Sequence, residues 1–349
     1  MQIIIANRDF ERIGMIENAS VIWASRYYKT GDFELYMPAT KEHLELINNG
    51  SYVIRDDDED NIGVIEDIVM QNTPEDGDKI TVTGRFASGY YLSGRVVSQQ
   101  TQLNGNFQTC IRNLVNSNIV NPVDANRKID FIKLGNLDDS ITESIEMQTT
   151  GDNLLTKVEE ANEAHGIGFK MPLRNNTLYF EVYKGTNRSY SQCENPWVIY
   201  SDEYDNLREC EYIVNTSGIT NFAYVAGEGE GLDRKIVGTY KNVEEPVGEF
   251  RREVWVDQRN ISSNNENLTE SELENQMIEE GKESLTEISE VFSGGVSLQS
   301  YEYKKDFFLG DIVTIQKTQW NKMHINARII EVIESEDENG KTTVLTFGI

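Results

Sequence analysis

Short stretches with an apolar period of two, each bounded by turn-forming residues, run through the N-terminal part of this chain. They commit it to antiparallel β-structure, because only a strand sends successive side chains to opposite faces. Asp32-Phe33-Glu34-Leu35-Tyr36-Met37 is the plainest case. Val21-Ile22-Trp23 before it is β-branched and aromatic, and Thr30-Gly31-Asp32 between the two has hairpin-turn composition. A short helix follows, with Thr40 as its cap, Leu44 and Ile47 on one face, and Asn49-Gly50 as a left-handed stop. Ser51-Tyr52-Val53-Ile54-Arg55 and the segment 62–69 flank the acidic run 56–61, which reads as a hairpin with a solvated tip. A further strand is expected at 79–84. Strands at this spacing predict a sandwich or barrel over residues 1–97.

The period then changes. Phe107, Ile111, Leu114 and Val115 lie at helical spacing within 106–116, as do Leu154, Leu155, Val158 and Ala161 within 152–165, where Gly166 closes the run. Leu178-Tyr179-Phe180-Glu181-Val182-Tyr183 returns to strand. Residues 98–203 therefore read as a smaller α+β middle domain. From residue 204 onward β-patterns recur at 211–214, 221–226 and 252–256. A polar linker at 262–267 leads to an inserted helix, 269–292, opened by the capping box Thr269-x-x-Glu272 and striped by Ile278, Leu285, Ile288 and Phe292. Three strands close the chain, the last two joined through Asn339-Gly340. The expected class is mainly β with α+β: two β-barrel domains, 1–97 and 204–349, around the middle domain, with the inserted helix.

Charge excludes several functions. Thirty-two Lys and Arg against 59 Asp and Glu give a formal net charge of −27. A chain this acidic repels nucleic-acid backbones and anionic membranes unless it segregates its cations, and here they are scattered. Stable nucleic-acid binding is not expected. The N-terminus lacks the basic and apolar regions of a secretory signal, and no apolar run has bilayer-spanning length, so the expected place of synthesis and residence is the cytosol. Cys110, Cys193 and Cys210 have neither even count nor CxxC spacing, and read as reduced, half-buried thiols.

The chemical motifs are few. His43, His165 and His324 stand apart from one another, each expected in a structural role. The acidic run 56–61 lacks the glycine and distal glutamate of a calcium loop. Ala226-Gly227-Glu228-Gly229-Glu230-Gly231 places two glutamates where a phosphate cradle would sit and reads as a turn between strands. Trp23, Trp197, Trp255 and Trp320 fall mostly in strand patterns, where core packing is the ordinary role. No catalytic, cofactor-binding or metal-ligating residue is expected, and no enzyme.

The order of landmarks carries a resemblance. Trp23-x-x-Arg26-Tyr27-Tyr28-x-x-Gly31-Asp32-Phe33-Glu34-Leu35-x-x-Pro38 resembles the opening of the baseplate hub family of phage tails, also called tail-associated proteins. The family occurs in siphophages and in related contractile tail-like particles. Leu92-Ser93-Gly94-Arg95-Val96-Val97 looks like the end of the family's first barrel, and Thr150-Gly151-Asp152-Asn153-Leu154-Leu155 like its middle-domain helix start. Tyr183-Lys184-Gly185-Thr186-Asn187-Arg188-Ser189 and Phe308-Leu309-Gly310-Asp311-Ile312-Val313-Thr314 resemble two later strand segments. The resemblance implies two barrels of the tail-tube type per subunit, and a homotrimer whose six barrels form a pseudo-six-fold ring joining the tail tube to the central spike. Implied partners are the tail tube protein, distal tail and baseplate proteins, the central spike and the tape-measure protein. DNA would pass the lumen without stable binding, and no membrane insertion is implied. The implied location is a virion or tail-like particle, at the tail tip or baseplate, assembled in the bacterial host cytoplasm. Many family members continue into lytic or receptor-binding modules, whereas this sequence stops at Ile349. Any lytic activity is therefore expected on another polypeptide. The competing readings are a tail-borne carbohydrate-binding module using exposed aromatic residues, and a peptidoglycan hydrolase.

Overall fold

The computed structural model describes residues 1–74, 77–259, 269–286, 289–296 and 300–349. The linker expected at 262–267, and Ile288, lie outside the described residues. The fold is mainly β. Strand Asp32–Pro38 alternates as the sequence requires, with Phe33, Leu35 and Met37 buried. It pairs with Ser20–Arg26 on one side and Gly77–Arg85 on the other. A second sheet, built from Arg12–Ile16, Ile3–Ala6, Tyr52–Arg55 and Gly63–Val64, packs across it. Ile3, Ile5, Trp23, Phe33, Leu35, Val53 and Val82 fill the space between.

Helix α1 (Lys41–Leu46) is capped by the Thr40 side chain, which accepts from the His43 N–H at 3.2 Å. It ends before the expected Asn49-Gly50 stop. Leu44 is exposed, because the helix is too short to bury a face with both Leu44 and Ile47. Helix α2 (Ala87–Ser93) carried no sequence signal: its Gly, Ser and Tyr residues are poor helix formers, and burial of Ala87, Tyr91 and Leu92 sustains it.

In the middle lobe the two expected helices form. Helix α3 (Phe107–Val115) is capped by Asn106, and α4 (Leu154–His165) by Asn153 with Gly166 at φ +67° as its left-handed stop. Both pack, with the antiparallel pair Thr101–Asn106 and Ser144–Thr149 and the sheet around Thr177–Tyr183, into a core that also takes Phe10, Tyr52 and Tyr91 from the first lobe.

The closing lobe winds the strands Ile199–Ser201, Ile312–Lys317, Met323–Asp337, Gly340–Gly348, Ser289–Val296 and Leu207–Asn215, in that pairing order, around Tyr200, Phe292, Phe307, Ile329 and Phe347. The two ends of this path are joined by the turn after Ser201, fastened by the Ser201 N–H donating to Asn206 Oδ1 at 2.7 Å. The strand Met323–Asp337 is long because it serves two lobes. On one edge it pairs first with Ile312–Lys317, through Arg328, and then with Ser20–Arg26, Trp23 opposite Glu334; on the other it stays paired with Gly340–Gly348 across a bulge between Ile329 and Glu331. Strands from both ends of the chain thus form one ten-stranded sheet among the described residues.

Two expectations in this part are corrected. The inserted helix, expected over 269–292, is α5 (Glu270–Glu283), with the Thr269–Glu272 capping box formed as read. It stops at Glu283, and Phe292, expected on its stripe, lies inside the strand Ser289–Val296. An apolar period of three or four continued past the helix by coincidence, and the buried α5 face is instead Leu273, Gln276, Met277 and Glu280. Second, the segments read at 221–226 and 252–256 do not join the closing lobe. As Phe222–Ala226 and Glu253–Asp257 they form a small parallel pair with Ile236–Thr239 added antiparallel, and α5 covers one face through Leu273 and Met277.

Candidate functional site

The landmark segments, scattered along the sequence, meet at one place. Tyr27 follows the last residue of the Ser20–Arg26 strand and is fully buried. Its N–H donates to the Ile330 carbonyl at 2.9 Å and its carbonyl accepts from the Phe169 N–H at 3.3 Å, so its backbone alone ties the first lobe to the other two. Its hydroxyl accepts from the Gly185 N–H at 3.0 Å and lies 3.2 Å from the Tyr183 carbonyl. Burial pushes this phenol up to about 12, so it remains an O–H donor. A Cβ at Gly168 or at Gly310 would overlap the Tyr27 ring, and one at Gly185 would overlap the Gly310 carbonyl. Three glycines are needed here for close approach, and Gly310 also for its φ of +94°.

Asp311, 1% exposed, closes the junction. Its carboxylate accepts from the Thr186 N–H at 2.7 Å and the Phe308 N–H at 3.0 Å, and pairs with Arg188 Nε at 2.7 Å. The Arg188 N–H donates to the Ile312 carbonyl, and the Ile312 N–H to the Thr186 carbonyl, so the segments 183–189 and 308–314 zip together. Arg328 donates to the Gly310 carbonyl at 2.7 Å and stands over the Tyr27 ring. Arg26, beyond Tyr27, pairs with Glu331 at 2.7 Å and with Asp32.

A second polar knot lies beside it, and here the acidic run 56–61 departs from expectation. Its centre is buried: Asp58 is 4% exposed. The Asp58 carboxylate accepts from Trp23 Nε1 at 2.8 Å and from the backbone N–H groups of Asp60 and Asn61, and pairs with Lys304 of the closing lobe at 2.6 Å. Burial alone would raise this carboxyl; the Lys304 ammonium and the Arg55 guanidinium outweigh it and hold it below the usual range. Arg55, itself buried, reaches Glu334 at 2.5 Å. The run is a plug between lobes, which sequence reading missed because it weighed the run's charge without the cations that fold against it.

The remaining candidates have local partners. His43 Nδ1 lies 2.8 Å from the Pro38 carbonyl, His165 Nδ1 2.9 Å from the Ala161 carbonyl, and the His324 ring packs at a tilt against Tyr190. The 226–231 segment turns between paired strands, as read. The cysteines are all free but not alike: Cys110 is buried, Cys210 half-buried and Cys193 exposed. Trp23 is a core residue, while Trp197 and Trp255 are more than half exposed, against the expectation of core packing. Among the described residues no group of three or more His, Cys, Asp or Glu side chains could hold a metal ion, and no helix is long and apolar enough to cross a membrane. The geometry built here is that of a joint.

The family model described as Siphovirus ReqiPepy6 Gp37-like protein matches residues 2–349. The chain belongs to this siphovirus family. A comparison with curated proteins returns no match. Among solved structures, the tail protein from Neisseria meningitidis MC58 superposes with a TM-score of 0.56 at 12% identity, over 99% of this chain and 96% of that one. The 43 kDa tail protein of prophage MuSo2 from Shewanella oneidensis gives 0.55 at 13%, over 99% and 98%. Prophage tail protein gp18 from Listeria monocytogenes EGD-e gives 0.53 at 12%, over 100% and 94%. At such identities the likeness is one of fold, and it extends over nearly the full length of each partner. The landmark resemblance read in the sequence is thereby met at the level of family and fold.

Proposed function

We propose that the protein is a non-enzymatic structural component of a siphovirus tail, acting as the baseplate hub. In this reading residues 1–97 and 204–349 supply two tube-type barrels, the second carrying the small sheet of 222–257 and α5 as an insertion; 98–203 is the middle domain, and three copies close into a pseudo-six-fold ring between the tail tube and the distal spike and baseplate proteins. The observation that carries the reading is the Tyr27–Asp311 junction, where three lobes are locked by buried hydrogen bonds and glycine close approach rather than held around a reactive cleft. A ring wall under load needs lobes that do not hinge, and the shared strand Met323–Asp337 serves the same end. Ring closure also protects sheet edges from unwanted pairing. The net charge of −27 fits a lumen past which DNA slides without adhering.

Native mass measured over a concentration series tests this. With a chain of 39.8 kDa, the expected ring is three times that, about 119 kDa. A strict monomer at every concentration, both alone and mixed with its tail tube protein, would exclude the hub.

A further inference from the structure

Between the two polar knots lies a cleft of about 240 Å³ whose walls come from all three lobes. In a protein with so large an acidic excess its lining is inverted: Arg26, Lys170, Lys184, Arg188 and Lys304 face it, against the carboxylates of Asp60 and Asp311. The cations are spread over aromatic rings, Lys170 over Tyr183, Lys304 over Tyr303 and Arg188 over Phe308. Their own partners are known: Lys170 with Asp60, Lys184 with Glu143, Lys304 with Asp58, and Arg188 with Asp311 through Nε alone. That last pairing leaves the two terminal nitrogens of the Arg188 fork without a protein acceptor among the described residues. The hydroxyls of Tyr183 and Tyr303, also lining the cleft, likewise have no protein hydrogen-bond partner among them. Burial holds both phenols well above their ordinary pKa, so both are O–H donors at neutral pH.

Donors without a protein partner that line one cleft can be met by an acceptor from outside the chain. We propose that this cleft binds a small oxyanion, a carboxylate or a phosphate group, through the Arg188 fork and the Tyr183 and Tyr303 hydroxyls, with Lys170, Lys184 and Lys304 supplying the field. The volume lies below the roughly 300–1,000 Å³ of ordinary small-molecule sites, which fits a group of a few heavy atoms rather than a whole cofactor. Bound there, the anion bridges the middle and closing lobes and tightens the joint. This inference stands apart from ring formation, since the cleft lies within one chain.

The test is titration of the full chain at low chloride with inorganic phosphate and, separately, with acetate and a short peptide ending in a free carboxylate, read by calorimetry and by the unfolding midpoint. The variant is Tyr183→Phe/Tyr303→Phe, which removes only the two hydroxyls and keeps both rings; Arg188 stays, because its loss would uncover Asp311. The expected result is saturable binding by the wild type, weakened about tenfold or more in the double variant, with the ligand-free midpoint unchanged. Response to phosphate alone assigns a free phosphate or phosphoester; response to acetate and peptide assigns a protein carboxylate. No saturable binding of any probe up to about 10 mM, or equal binding by the variant, overturns the proposal.

Discussion

Replacing Asp311 by Asn tests whether the junction is the mechanical centre of the molecule. The substitution keeps the shape and removes the charge. The carboxylate now accepts two backbone N–H groups and the Arg188 Nε–H, all within 3.0 Å, and is 1% exposed. An amide has one oxygen, so at least one of these donors would meet an N–H₂ group, and Arg188, largely buried, would keep an uncompensated charge. Breaking a buried pair from one side costs about 3–5 kcal/mol, and each hydrogen bond to a charged group contributes about 1.5–3 kcal/mol, so the two routes converge on a loss of about 3–5 kcal/mol. Guanidinium unfolding followed by near-UV circular dichroism reads it directly. A double-mutant cycle with Arg188→Gln should return a coupling of about 1–3 kcal/mol, since removing both partners removes the orphaned charge. An Asp311→Asn variant within about 1 kcal/mol of wild type, or strictly additive effects, would refute the reasoning.

Three further outcomes are expected. Gly310→Ala should destabilise by about 2 kcal/mol or more, because the new methyl meets the Tyr27 ring at a φ of +94°; Gly340→Ala, with nothing near its Cβ but also at positive φ, is the control for backbone strain alone, measured in the same unfolding assay. Asp58 is held below its unfolded value, so the stability it contributes is present above about pH 4 and is lost as pH falls through its folded value; acid titration should show wild type losing stability relative to Asp58→Asn in that window. Glu280 on α5 has the opposite sign: burial raises its carboxyl and, among the described residues, its Oε1 lacks a hydrogen-bond partner, so its contribution is fully present below about pH 4 and is lost as pH rises through the folded value. Glu280→Gln should therefore stabilise the α5 packing at about pH 8 and change little at about pH 4, read by hydrogen exchange on 270–283.

Local chemistry was legible in the sequence wherever a single element carried its own instructions. Thr40, Gly166 and the Thr269–Glu272 box start and stop helices through bonds to residues at most four positions away, and the Asp32–Pro38 alternation fixes which side chains face inward whatever lies opposite. The mainly β class followed from those patterns alone. The partner of each strand did not. Nothing in 221–226 says that it pairs with 253–257 rather than with the closing lobe, and nothing in Phe292 says that the helix has already ended, because burial of either residue satisfies the same pattern. The polar junction was least legible of all. Asp58 and Lys304, or Arg188 and Asp311, are far apart in the chain, and a charge reads as solvated until the fold brings its counter-ion beside it. The free energy that makes such groups worth burying comes from their desolvated pairing, and only the tertiary structure creates that environment.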